Sequence, residues 1–326
     1  MDRRDFLKRA SITGLAIAGS VAGAAYLYDP RNGADYFREQ QIKDFKLLPS
    51  FQVDRGKNAV SMAIARGENI ENLVRSALGE MGGIESFIQK GDVVLLKPNV
   101  AFDRAPLLGA TTNPDVLKAV AKICREAGAK RILIADNPIN QPEGCFFKSG
   151  IQAAANEINA ELMLPKPSAF AQVKIDGEVL STWTMFYKPF EIANKVIGIA
   201  PCKDHNLCSG SLTMKNWYGL LGGRRNQFHQ NIHGIVSDFP HMIKPTLVVL
   251  DATRILMRNG PTGGSMGDVA AGNTLVVGTD MVAVDTFGYT LLNRDPAKLE
   301  YLHKAEARGL GTTKWKDQNW REIQVG

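Results

Sequence analysis

Between Pro201 and His233 the chain reads P-C-K-D-H-N-L-C-S-G-S-L-T-M-K-N-W-Y-G-L-L-G-G-R-R-N-Q-F-H-Q-N-I-H, and three of its five histidines and two of its four cysteines fall here. His229 and His233 stand four residues apart, so on a helix both would project from one face, the spacing for two metal ligands or two anion contacts. No H-E-x-x-H glutamate accompanies them, which argues against a zincin-type peptidase. His205, between Cys202 and Cys208, suits a general acid/base or a metal or cofactor ligand. C-x2-H-x2-C lacks a fourth nearby ligand, and the cysteine spacing disfavours an iron–sulfur cluster.

Other residues with chemical potential lie where elements end. Lys97 and Asn99 put a cation and an amide after the apolar run D-V-V-L-L-K. Lys203 and Lys215 are further lysines near the histidines, and a lysine at a strand's C-terminal edge binds carboxylate or phosphate, or shifts its pKa for catalysis. Asp136, Asp251 and Asp280 close strands in the same way, with Asp280 better suited to capping the next helix. The loop G-P-T-G-G, with Gly263 and Gly264, could bring backbone N–H groups to an anion. It is neither a Walker A loop nor a G-x-G-x-x-G fingerprint, and no G-x-S-x-G elbow occurs, so nucleotide binding and an α/β-hydrolase are unsupported.

The elements that must position these residues read as α/β. Strands are expected at Ala59–Ala65, Asp92–Lys97, Arg131–Ala135, Lys195–Ala200, Pro245–Leu250 and Thr274–Gly278, mostly as continuous apolar runs buried on both faces. Helices are expected after Asn69, after Asn113-Pro114, over 149–160, over 282–292 and from Asp295 to about Arg308. Strand, helix and strand across 92–135 make a right-handed βαβ unit. The pattern turns β-rich over about 162–191, with a D-G turn. The fold class is therefore α/β, a mostly parallel or mixed sheet flanked by helices, with a small β-rich excursion.

Composition excludes some partners. The net charge is +6, of which about +2 precedes Ala25, and no Arg-rich helix or aromatic–basic repeat supports nucleic-acid binding. Residues 1–28 combine D-R-R-D-F-L-K with an apolar Gly/Ala-rich run and resemble a twin-arginine export signal or an N-terminal anchor. This resemblance implies recognition by the twin-arginine translocase and a periplasmic or exported location, with membrane contact only through that segment. It also raises the expectation of a metal or metallo-organic cofactor. Residues 29–57 read as a linker or arm, 58–310 as the α/β domain, and 311–326 as a polar tail.

The segments D-V-V-L-L-K-P-N, T-N-P, K-D-H, L-T-M-K-N-W-Y-G, F-H-Q-N-I-H, V-V-L-D-A-T-R, N-G-P-T-G-G and D-M-V-A-V-D occur in matching order. Together they resemble the domain-of-unknown-function 362 family over roughly residues 58–310. That resemblance implies a fold and site positions but no reaction. A more distant similarity is to lactate racemase-like proteins, which use histidines and lysines around a nickel-bearing pyridine cofactor; His205 and Lys215 are the positions it points to. The family's P-K-L-K-T-H is replaced here by P-C-K-D-H, with the first lysine lost. The resulting expectation is an exported enzyme of acid–base or redox chemistry, or a non-catalytic periplasmic binding or assembly protein. Catalysis is expected from His205 and Lys215. A cofactor or small anionic ligand is expected on Lys97, Asn99, Lys203, Asn216, Asp251, Gly263 and Gly264, and a metal on His229 and His233.

Overall fold

The apolar runs expected as strands at 92–97, 131–135, 195–200, 245–250 and 274–278 each hold a strand of the sheet. The computed structural model describes Asp2, Arg4, Asp5 and Phe45–Gly326; the expected signal and most of the expected linker lie outside the described residues. The strands are β1 (Met62–Arg66), β2 (Val93–Lys97), β3 (Arg131–Ala135), β4 (Glu161–Met163), β5 (Phe170–Lys174), β6 (Thr182–Phe186), β7 (Lys195–His205), β8 (Ser209–Ser211), β9 (Leu247–Leu256), β10 (Val269–Gly278) and β11 (Trp320–Gln324). Nine of them form one sheet in the order β11-β1-β10-β9-β7-β2-β3-β4, with β8 paired to β7. Strands β9, β7, β2, β3 and β4 are mutually parallel, while β10 is antiparallel to β9 and β1.

Side chains alternate across this sheet, so its two faces seed separate cores. Met62, Ile64, Leu95 and Leu133 join one cluster; Ala63, Ala65, Val94, Leu96, Ile132 and Ile134 join the other. Helices α1 (Ile70–Glu80), α2 (Pro114–Glu126), α3 (Pro142–Lys148) and α4 (Ile151–Glu157) supply buried residues to the second cluster. The first is covered by α5 (Lys188–Ile192), α6 (Thr213–Asn216), α7 (Ile232–Met242), α8 (Met281–Leu291) and α9 (Glu300–Ala307). The expected caps are in place. Asn69, Asn113 and Asp280 each accept from backbone N–H groups of the following helix.

The β-rich excursion is a two-stranded antiparallel sheet, β5 with β6. Its turn is held by Asp238 of α7, whose carboxylate accepts from the N–H groups of Glu178, Val179 and Leu180. Two segments differ from expectation. Residues 320–324 are not a free tail but β11, parallel to β1 at the sheet edge, where Trp315 packs on Phe287 and Trp320. In the expected arm, Lys46 and Ser50 bridge to Val173 and Lys244, and Phe51 is buried beside Phe190. No helix among the described residues is long and apolar enough to cross a membrane.

Strand order reverses between β2 and β7: the chain moves outward through β3 and β4 on one side, and through β9 on the other. Open α/β sheets bind ligands at such a switch point, outside the carboxyl ends of the strands. The short helix α6 is held over this point by Asp285 of α8, whose fully buried carboxylate accepts from Thr213 N, Thr213 Oγ1 and Met214 N. Burial pushes the Asp285 carboxyl up to about 7. Replacing Asp285 with Ala orphans three donors at once, and should lower unfolding stability by about 2–4 kcal/mol, read as a reduced urea midpoint.

Candidate functional site

At the switch point two strand ends meet through an ion pair. Lys97, the last residue of β2, is fully buried, and its Nζ lies 2.6 Å from Asp136 Oδ1, just beyond β3. The same ammonium donates to Pro98 O at 2.8 Å and to Asn216 Oδ1 at 3.0 Å. Burial lowers the Lys97 pKa, and the Asp136 charge opposes that shift. Asp136 Oδ2 accepts from Val100 N at 2.7 Å, which fixes the chain leaving β2. Gly219 packs directly on the pair, where an added Cβ would sit 2.3 Å from Asp136 Oδ1. Asn216 bridges the assembly, accepting from Asn99 Nδ2 at 3.3 Å and donating to Lys97 O at 3.2 Å.

Above this floor lies a cleft of about 270 Å³. Strand β7 does not stop at Ala200 as expected. It runs on to His205, paired with β8 on its far end, so Lys203 and His205 stand on a strand and line the cleft. Asp204 between them alternates away and pairs with Arg294 at 2.6 Å. Lys203 is 1% exposed and donates to Asn99 Oδ1 at 3.3 Å and to Ala110 O at 2.5 Å, both uncharged acceptors. Burial, reinforced by the Lys215 charge, brings its pKa down to about 7. Burial is also the main cause of a lowered pKa at Lys215, whose Nζ lies 4.9 Å from the centre of the Tyr218 ring.

His205 is buried, and its Nδ1 accepts from Leu207 N at 3.2 Å. The neutral ring therefore carries its proton on Nε2. Burial and the neighbouring Lys215 and Lys203 charges push its pKa down to about 2, so it stays neutral and acts as a donor rather than as a base.

The positive charge exceeds its compensation. Lys203, Lys215 and Arg225 line the cleft against one carboxylate, Asp136, already engaged by Lys97. Arg225 donates to the carbonyls of Asn137, Pro138 and Leu221, which fixes its guanidinium without cancelling its charge. Unpaired cations are costly in a poorly solvated site, and an anionic ligand relieves that cost. The sequence reading passed over Arg225, Tyr218 and Phe102; the first stands in the G-G-R-R segment of the opening stretch, which was the available signal.

Not every expected residue reaches the cleft. Lys97 lies behind its wall and acts through Asp136 and Asn216. Asp251 is buried holding Asn113 N at 2.9 Å and Thr253 Oγ1 at 2.7 Å, so it anchors the start of α2 instead of facing a ligand. The glycine loop contributes Pro261 and Thr262, whereas Gly263 packs on Leu256 and Gly264 faces open space. His229 and His233 do not share a helix face. His229 lies in the last turn of a 3-10 segment, Arg225–Asn231, and lines the cleft beside Tyr218; His233 belongs to α7 and stacks on Tyr301. Asn231 separates them by capping α7, accepting from Gly234 N at 3.2 Å.

Among the described residues no group of three or more His, Cys, Asp or Glu side chains converges as metal ligands. The cleft's own imidazoles, His205 and His229, stand among Lys203, Lys215 and Arg225, a donor set that does not fit a metal ion held by protein ligands. Cys124, Cys145, Cys202 and Cys208 are all buried and free. The arrangement fits an anion and a proton transfer. Because the Lys203 pKa is about 7 and its charged form adds to the attraction for an anion, affinity should fall as pH rises through 7 and level off once Lys203 is neutral. Titration calorimetry from pH 6 to 8.5, with an anion ionised throughout, should give a loss of affinity that sets in near pH 7 and flattens toward the upper end.

The chain's relatives can be set beside this geometry. The family described as a domain of unknown function, DUF362, matches residues 94–290. That span holds the ion pair and every residue lining the cleft. A thylakoid-associated protein of Synechocystis sp. is 25% identical over 280 residues, covering 83% of this chain and 81% of that protein. A crystal structure of a Thermotoga maritima protein overlaps 75% of this chain at 13% identity and a TM-score of 0.37. This chain spans 60% of that protein's length, and so loose an overlap carries no argument. Neither relative bears on the similarity to lactate racemase-like proteins. With the match running over more than half of its 326 residues, the chain belongs to the domain-of-unknown-function 362 family.

Proposed function

We propose that the protein binds a small organic anion at the switch-point cleft and moves a proton on it. The observation that carries this reading is the excess of buried cations over the single, already paired Asp136 carboxylate. Lys215 and Arg225 hold the anion's charge. His205 donates from Nε2, and Lys203, half neutral near pH 7, takes the proton. A carboxylate with an acidic hydrogen on the adjacent carbon suits this set, since the cations stabilise the charge that builds when that hydrogen leaves. A metal or metallo-organic group forms no part of the proposal, because the donor set does not favour one.

The test separates binding from turnover. Small carboxylates should raise the thermal midpoint, and Lys215→Ala should weaken that binding about tenfold or more, in line with a lost charge-assisted contact. Proton NMR in heavy water should detect deuterium entering the position next to the carboxylate, with the exchange lost in Lys203→Met. Binding without exchange in the unaltered protein would leave a non-catalytic binding protein, the alternative reading. No binding of any carboxylate would sink both.

We further propose that the chain is exported folded through the twin-arginine translocase, on the strength of Arg3-Arg4 and the apolar run behind them. Replacing both arginines with lysine should leave the protein in the cytoplasmic fraction; unchanged export would refute this.

A further inference from the structure

The walls of the cleft differ in kind from its floor. The cations sit deep, on β7, α6 and the 3-10 turn beginning at Arg225, whereas the apolar lining includes Phe102, Ile139, Leu207 and Pro261, with Ile139 and Leu207 at the exposed mouth beside the polar Asn206. These four apolar residues come from four separate loops, after β2, after β3, between β7 and β8, and after β9. Ile139 and Leu207 are 53% and 51% exposed, two of the few large apolar side chains so open to water among the described residues. Their loops are fixed by local bonds. Ile139 N donates to Ala101 O at 3.0 Å, the carbonyls preceding Ile139 hold Arg225, and Leu207 N is tied to His205. The apolar side chains are therefore held at the rim and do not fold away.

Other parts of the molecule carry less. A larger groove over α1, α2 and α4 is lined by charged side chains that pair with one another, among them Lys118 with Glu157 and Lys122 with Glu71. His233 has a buried Nδ1 with no hydrogen-bond partner among the described residues, but nothing aims a ligand at it.

We propose that the ligand is an amphiphilic monoanion: a carboxylate head on the cationic floor and an unbranched or aryl apolar body that covers Ile139 and Leu207. This rests on the anion-binding reading above and adds the identity of the rest of the molecule. The polar and apolar surfaces are continuous within one cleft, so one ligand satisfies both. Phe102 belongs to both zones, its ring centre 5.3 Å from Lys203 Nζ. A volume of about 270 Å³ holds roughly ten non-hydrogen atoms at the ~30 Å³ that a water occupies, which leaves about five to eight carbons beyond the head. Polyhydroxylated or polyanionic acids of similar size would leave the rim wet and bring charge where no cation waits.

The experiment measures binding of the straight-chain acids from acetate to octanoate, with phenylacetate and citrate alongside, by calorimetry on the full chain. Affinity should rise up to about fourfold per methylene through hexanoate, the increment expected for burying each group, and citrate should bind more weakly than hexanoate. In Leu207→Ser and Ile139→Ser, whose side chains are exposed and whose backbone contacts persist, the gain per methylene should fall by half or more. A flat series in the unaltered protein, citrate binding tighter than hexanoate, or an undiminished slope in the double variant each overturns the amphiphile. A flat series with measurable acetate affinity overturns the apolar body alone; absence of binding by any acid overturns the anion reading with it.

Discussion

The Asp136 carboxylate is the constraint on which the carboxyl end of the sheet depends. It neutralises Lys97, orients the chain after β2 through Val100 N, and lies against Gly219, which leaves no room for a Cβ. Lys97 engages it most closely, so one carboxylate is shared with Lys203 and Arg225, whose pKa values still end up lowered by burial. The cleft's electrostatics thus follow from one shortage. Elsewhere buried aspartates have work of their own: Asp285 holds α6, Asp238 holds the β5–β6 turn and pairs with Arg308, and Asp204 pairs with Arg294. Carboxylates are spent on construction and cations are left for a ligand.

Much of this was legible in the chain because apolar runs bounded by Gly, Pro and Asp are direct consequences of burial on both sheet faces. Strand β3 falls at its expected residues, β2 starts one residue later than expected, and Asn69, Asn113 and Asp280 cap their helices because their side chains reach orphan N–H groups. The continuation of β7 was hidden. Its last residues, K-D-H, are polar, and apolar patterning has no means of marking a strand whose inward face is a binding site. Strand β11 was hidden for the opposite reason: a short, half-exposed edge strand looks like a tail until Trp315 packs between Phe287 and Trp320.

The histidine pair illustrates how spacing misleads. Four residues put two side chains on one face only if one helix runs through both, and the Asn231 cap starts a new helix between them. Asp251 misleads differently, since a carboxylate at a strand's carboxyl end is equally suited to hold the next element. Arg225 was missed because arginine in a polar loop is ordinary; its importance comes from the distant Asn137 and Pro138 carbonyls together with the nearby Leu221 carbonyl.

The extension of β7 has a consequence for how this protein can change over evolutionary time. Lys203 and His205 ride on a strand bonded to β9 and β8, while Ile139 and Leu207 sit on loops whose backbone, and not whose exposed side chains, bonds Arg225 and His205. Side-chain replacement at those two positions alters what the mouth accepts without disturbing the charged floor. Relatives with this floor are free to diverge in the bodies of the molecules they take, while keeping one way of holding the head.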